Sequence, residues 1–286
     1  MTRASTILRT LAVAATAALA IGLAGCEVKG GDNGEPSAYV TDGKLTIGTG
    51  EPAYYPWVID DAPESGEGFE AAVAYAVAHE LGFAAEDVVW VRTTFDEAIA
   101  PGPKSFDFNL QQFSITTERA QNVDFSSAYY ETTQVVITTA ASKAAGATTI
   151  EELKGFLIGA QTGTTSLTAI EQIIAPAAGA QVFNTNDDAK LALESGTVDA
   201  IVVDLPTAFY LTGVELTDGI IIGQLPAMDG KNGDEFGLVL PKDSPLTVEV
   251  SNAVDTLKRT GVLDDLAAEW LADAADAPVL EVPPAP

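Results

Sequence analysis

The sequence predicts an α/β protein with mostly parallel sheets flanked by helices. Three observations carry this. Short runs rich in Val, Ile and Phe alternate along the chain with segments of helical periodicity. The apolar share is 47% against 19% charged, too apolar for a disordered polymer. The 286 residues suffice for one large domain or two small ones with a real core.

Strand patterns are read at Leu45–Thr49, Val88–Thr93, Phe106–Gln112, Val135–Thr139, Phe156–Ala160, Ala200–Val203, Ile220–Gly223 and Phe236–Leu240. Helical spacing lies between them. Phe69, Val73, Val77 and Leu81 recur every four residues, with Gly82 as a stop. Leu167, Ile170 and Ile174 follow a Gly-Thr-Thr-Ser start, and Ala189 to Ser195 ends in Gly196. Val250, Val254 and Leu257 line a helix stopped by Gly261, and Leu266, Trp270 and Leu271 line the last one. The Pro-rich tail, 276–286, is expected to be loose.

Composition excludes several classes. A net charge of −27 argues against nucleic-acid binding, which needs basic patches. A single histidine, His79, read as a surface residue, and a single cysteine rule out a His/Cys zinc cluster, an internal disulfide and a CxxC centre. No strand is followed by GxGxxG or GxxxxGK[ST], so no nucleotide site is expected. Neither a cofactor nor a metal is called for, although surface calcium or magnesium on the acidic coat stays open.

The start of the chain has the form of an export signal. Arg3 and Arg9 precede Thr10 to Cys26, 17 residues without a charge. That is just short of the roughly 18 residues of a membrane span. Leu23-Ala24-Gly25-Cys26 resembles the lipobox of bacterial lipoproteins, in which cleavage before the cysteine frees it for acylation. The expected division is a signal peptide over 1–25, lipidation at Cys26 and a flexible tether over 26–43. The alternatives are an uncleaved anchor or a secreted protein with a chance cysteine. A lipid anchor would hold the protein on the outer face of the cell membrane.

Several strings recur in order: Leu45-Thr46-Ile47-Gly48-Thr49 before Tyr54-Tyr55-Pro56-Trp57; Gly68-Phe69-Glu70; Ser114-Ile115-Thr116-Thr117-Glu118-Arg119; Val123-Asp124-Phe125-Ser126 and Tyr129-Tyr130; Gly163-Thr164-Thr165-Ser166; Val198 to Asp204. Over about residues 44–272 this set resembles family 3 of the bacterial extracellular solute-binding proteins, the polar amino-acid receptors of ABC importers. The resemblance implies a two-lobed Venus-flytrap fold of the periplasmic-binding-protein type II. Lobe 1 would take 44–134 and 235–275, and lobe 2 would take 138–231. The hinge would lie near Val135–Thr139 and in the segment from Asp229 to Gly237, where Gly230, Gly233 and Gly237 suit changing dihedrals.

The resemblance also implies a binding site for an amino-acid zwitterion. Arg119 would hold the ligand carboxylate through its two-pronged guanidinium; otherwise it is a surface arginine. Thr165 and Thr164, at a strand-to-helix turn, would add backbone and side-chain donors, or simply cap the helix. Asp204, at the end of a buried strand, would accept the ammonium, or act as an N-cap before Pro206. Ser114 would bond the ligand backbone. Tyr54 and Trp57 would stack on the ligand; Trp57 or Tyr55 could equally be core. The acid common after the first strand in the family is here Gly50, with Glu51 next, which argues against lysine or arginine as ligand. Gln111 and Gln112 stand where many members have small residues, and Gln112 with Glu51 joins the candidate set.

The functional expectation is a lipid-anchored, extracytoplasmic receptor, not an enzyme, that captures a polar L-α-amino acid and delivers it to a membrane permease as a monomer. The alternatives are a dehydratase-like enzyme on the same fold and an extracellular sensor.

Overall fold

The computed structural model of the protein describes residues 37–227, 233–271 and 277–281. The predicted signal peptide, Cys26, the tether up to 36 and the hinge residues Asp229 and Gly230 lie outside them. The described strands are β1 (Leu45–Thr49), β2 (Val88–Arg92), β3 (Phe108–Asn109), β4 (Val123–Thr132), β5 (Gln134–Thr139), β6 (Ile158–Gln161), β7 (Gln181–Phe183), β8 (Ala200–Asp204), β9 (Gly219–Gln224) and β10 (Asp234–Pro241). They form two five-stranded sheets, ordered β2-β1-β3-β10-β4 and β7-β6-β8-β5-β9. In each sheet four strands run one way and one opposes them: β10 in the first, β5 in the second. The sheets are therefore mixed, with the parallel majority that the alternation of strand and helix predicts.

The helices are α1 (Phe69–Glu80), α2 (Phe95–Ile99), α3 (Ile150–Leu153), α4 (Thr165–Ala169), α5 (Asn186–Glu194), α6 (Leu205–Tyr210), α7 (Thr247–Thr260) and α8 (Val262–Trp270). Helix α1 starts where the chain must pass tight against its neighbour. Gly68 has φ 100, and a Cβ there would meet the Trp57 carbonyl oxygen at 2.6 Å, so only glycine fits. Gly261, at φ 84, ends α7 in the left-handed region and lets α8 leave at once. The buried face of α7 is Val250, Ala253, Val254 and Leu257, the period that marked it in the sequence.

Each sheet is covered on both faces. In the first, Leu45, Ile47, Phe108, Phe236, Leu238 and Leu240 pack with α1 and α7, while Val123 and Val239 pack with Phe106 and Phe113 on the other side. In β8, Ala200 and Val202 enter one cluster and Ile201 and Val203 the other. A strand buried on both faces reads as a continuous apolar run, which is why β8 and β5 were legible.

A strand went unread, and the bounds of another and the looseness of the tail need correction. Strand β4 carries no apolar alternation; its pairing with β10 is broken by two register shifts around Gly237, so its buried positions do not recur every second residue. The predicted strand 106–112 shrinks to two residues, Phe108–Asn109. The Pro-rich tail is not loose at 277–281. Leu280 is buried in the second sheet's core, Gln224 N–H donates to Pro278 O at 2.7 Å, Leu280 N–H returns the bond to Gln224 O at 2.8 Å, and Gln224 Nε2 donates to Ala277 O. Helix α8 packs with the first sheet, so the tail crosses to the second sheet after it. The end of the predicted tether is likewise docked: the Tyr39 ring meets Phe83 at 5.1 Å, and Val40 N–H donates to Asp107 Oδ1 at 2.7 Å.

Candidate functional site

Between the two sheets lies a cavity of about 310 Å³ whose wall draws on both of them. That is the lower end of small-ligand pockets, roughly 300–1,000 Å³. The chain passes from one sheet to the other at Thr132–Gln134, and again between β9 and β10.

Arg119 opens a single helical turn, Arg119–Gln121, and is 8% exposed. Its Nη1 donates to Ser114 O at 2.7 Å and its Nη2 to Gly163 O at 2.8 Å. The guanidinium stands 5.3 Å from the centre of the Phe95 ring. Burial, the largest influence, pulls its pKa down to about 10, opposed by the nearby Asp234, Glu118 and Asp96 charges. It remains a full cation at neutral pH, and two of its five N–H groups are engaged by these carbonyls.

Ser114 Oγ lies 3.0 Å from Thr165 Oγ1, a contact between residues of opposite sheets, and 3.2 Å from Asp234 Oδ2. Thr164 caps α4 by accepting from Leu167 N–H at 3.1 Å. The capping role and a place on the cavity wall hold together for Thr164 and Thr165.

Asp204 ends β8. It caps α6, accepting from Thr207 N–H at 3.0 Å and Thr207 Oγ1 at 2.8 Å. It also lines the cavity. Burial pushes its pKa up to about 6, against the bonds from Thr207.

Tyr54 and Glu51 are on the wall, and the Tyr54 hydroxyl reaches Asp187 and Thr185 of the second sheet's side. Trp57 is not on it, which corrects its assignment as a stacking residue. The ring is 0% exposed, packed at 5.8–5.9 Å between Phe69, Tyr130 and Phe236. Its Nε1 donates to Thr207 Oγ1 at 3.1 Å, so it braces α6 from the core. Tyr55 stacks on Tyr210 at 4.4 Å and is 43% exposed. His79 is exposed, as expected.

Gln111 and Gln112 both reach the wall. Consecutive residues of a regular strand would face opposite ways; Gln112 has φ 51, which breaks the alternation and turns both inward. Gln111 Nε2 donates to Thr93 Oγ1 at 2.8 Å and Asn109 Oδ1 at 3.0 Å.

The sequence reading missed Glu70 as a site residue. It sits in the first turn of α1, 2% exposed, accepting from Gln112 N–H at 2.7 Å, from Gln112 Nε2 and from the Tyr129 hydroxyl. Burial lifts its pKa to about 7, with the Asp204 charge a smaller push in the same direction. In sequence an acid in the first turn of a helix reads as a dipole partner. Only the packing shows that it points into the protein. Gln134 and Phe95, also on the wall, were missed too. Among the described residues no group of three His, Cys, Asp or Glu side chains is gathered as metal ligands would be. No helix there is long and apolar enough to cross a membrane.

Residues 45–273 match the family described as bacterial extracellular solute-binding proteins, family 3. The chain belongs to this family. Among relatives of this solute-binding protein, a probable histidine-binding protein of Campylobacter jejuni is 28% identical over 248 residues, covering 85% of this chain and 91% of that protein. An L-arginine-binding protein of Pseudomonas aeruginosa is 29% identical over 236 residues, covering 78% and 86%. An ancestral arginine-binding protein solved with arginine bound superposes with a TM-score of 0.66 at 28% identity, over 80% of this chain and 98% of that one. This solute-binding protein therefore has the two-sheet, type II periplasmic architecture of amino-acid receptors.

Proposed function

We propose that the protein captures a polar L-α-amino acid in the cavity between its two sheets and delivers it, from the outer face of the cell membrane, to an ABC import permease. The observation that carries this is one cavity walled by a buried cation of the first sheet's side, Arg119, and a carboxylate of the second's, Asp204. A zwitterion brings one charge of each sign, and burying either alone is costly. Arg119 takes the ligand carboxylate, Ser114 and Thr165 add hydroxyls, and Asp204 accepts the ammonium. Closure gains these contacts together, which is what lets a ligand favour the closed state. The related proteins named for histidine and arginine binding support the reading.

A lipid on Cys26, outside the described residues, would keep the protein at the membrane. Cys26→Ser is expected to release it into the soluble fraction; retention on membranes would remove the anchor.

The deciding experiment is thermal unfolding against the twenty amino acids at millimolar concentration. A ligand at 100 times its Kd stabilises by about 2.7 kcal/mol. A shift confined to one or a few amino acids is expected. No shift with any of them, together with turnover of prephenate or arogenate, would favour the dehydratase alternative.

A further inference from the structure

The cavity presents hydrogen-bond acceptors and negative charge beyond what an amino acid's backbone uses, and this bears on the ligand's side chain. The argument rests on the amino-acid receptor reading above. Protein acceptors engage both amide hydrogens of Gln111 and one of Gln112. Gln111 Nε2 is held by Thr93 Oγ1 and Asn109 Oδ1, two acceptors for its two hydrogens. Gln112 Nε2 is held by the Glu70 carboxylate. Gln112 keeps one amide hydrogen, and each glutamine keeps its carbonyl oxygen, Oε1. That of Gln111 lies beside the backbone of Gly50, where an added Cβ would come within 3.3 Å of it.

The charges agree. Glu51, Glu70, Asp96 and Asp204 line the cavity against one cation, Arg119. Arg119 feels the charges of Asp234, Glu118 and Asp96, and the Asp204 charge adds to the rise in the Glu70 pKa. An amino-acid backbone is neutral overall. It uses Arg119 and Asp204 and leaves Glu51 and Glu70 without a cation among the lining residues. A carboxylate side chain beside Glu51, Glu70 and the glutamine carbonyls would add like charge to acceptors. An aliphatic one would strip water from the two carbonyls and give nothing back.

We propose that the protein selects an amino acid with a cationic side chain carrying several N–H donors, an ammonium, guanidinium or imidazolium, and that Gln111 and Gln112 set this specificity through their carbonyl oxygens. Glu70 is a positioning residue. It fixes which way the Gln112 amide points, and its charge polarises that amide toward a stronger acceptor. The acid that the family carries after the first strand is replaced by Gly50, but Glu51 restores a carboxylate to the same wall.

The test is calorimetric titration of the purified protein with L-arginine, L-lysine, L-histidine, L-glutamine, L-glutamate and L-leucine. The expected result is that a cationic ligand binds at least tenfold more tightly than glutamine and at least 100-fold more tightly than glutamate or leucine. Glutamine, glutamate or leucine ranking first would overturn the inference and leave the receptor reading standing. No heat or stabilisation with any amino acid would instead sink the receptor reading itself. In a second arm, Gln111→Met and Gln112→Met remove each acceptor at similar volume. Each is expected to weaken the cationic ligand about tenfold, judged against its own ligand-free protein, which loses the bonds to Thr93 and Asn109 or to Glu70 and melts lower. Full affinity in both variants would overturn the role given to the glutamines. Glu70→Gln is expected to weaken the cationic ligand and to flatten the dependence of its affinity on pH between 6 and 8. An unchanged pH profile would overturn the positioning role, and if a variant does not fold, the wild-type ranking still decides.

Discussion

Arg119 Nη2 donates to the carbonyl of Gly163 at 2.8 Å, so a guanidinium rooted on the first sheet's side is held by the backbone of the second's. The same side chain is bound at Nη1 by Ser114 O. One residue thus fixes a cation at the seam between the two sheets.

Arg119→Ala is expected to weaken amino-acid binding at least 100-fold, about 2.8 kcal/mol at 1.4 kcal/mol per decade. It also strands two carbonyls, so a stability loss of about 1–3 kcal/mol is expected. Titration calorimetry and urea unfolding on the same variant separate the two effects. Unchanged affinity would remove Arg119 from the site.

Ligand-free stability should fall as the pH rises toward neutral. Glu70 has its folded pKa raised from 4.5 to about 7, and Asp204 from 3.8 to about 6, burial being the main cause in both. The folded protein then binds more protons than the unfolded chain between those values, so stability is greatest at the acid end of the window. For Glu70 it is lost between about pH 4.5 and 7. Glu70→Gln should flatten this fall, read as the melting midpoint at half-unit steps from pH 5 to 8. A slope identical to that of the unmodified protein would contradict the assignment.

Trp57→Ala should behave as a core truncation, costing about 3–5 kcal/mol. Trp57→Phe keeps the aromatic cluster but removes the bond to Thr207, and its cost is expected to be smaller. Ligand contact as the main role of Trp57 would be indicated if Trp57→Phe lost affinity with no change in unfolding.

Leu280→Ala should cost about 2–5 kcal/mol, because the residue is 4% exposed in the second sheet's core. Truncation after Leu271 should cost at least as much, since it also removes the Ala277 and Pro278 carbonyls that Gln224 uses. Wild-type unfolding of the truncated chain would show the tail to be dispensable.

Much of the fold was legible because burial on both faces of β5 and β8, and the one-sided apolar stripes of α1 and α7, write themselves into short-range periodicity. Strand β4 was not, because its bulged pairing with β10 breaks the period of two. The edge strand β7, with three residues, is too short to leave a signal. Helices α2 and α6 were missed for want of length, although Thr94 makes a capping box with Glu97 at the start of α2.

For the site, the residues carrying charge and hydroxyls, Arg119, Ser114, Thr164, Thr165 and Asp204, were picked out by ordered motifs, and the fold brings all five to one cavity. By itself the sequence determined the α/β class and the acidic character, since periodicity and composition are local properties of the chain, and its family resemblance singled out Arg119 and Asp204. Only the tertiary structure decided that Trp57 belongs to the core, that Glu70 turns inward against Gln112 and Tyr129, and that both amide hydrogens of Gln111 are taken. Those outcomes depend on which partners arrive from distant parts of the chain, and on what remains of each hydrogen-bonding capacity once they have arrived.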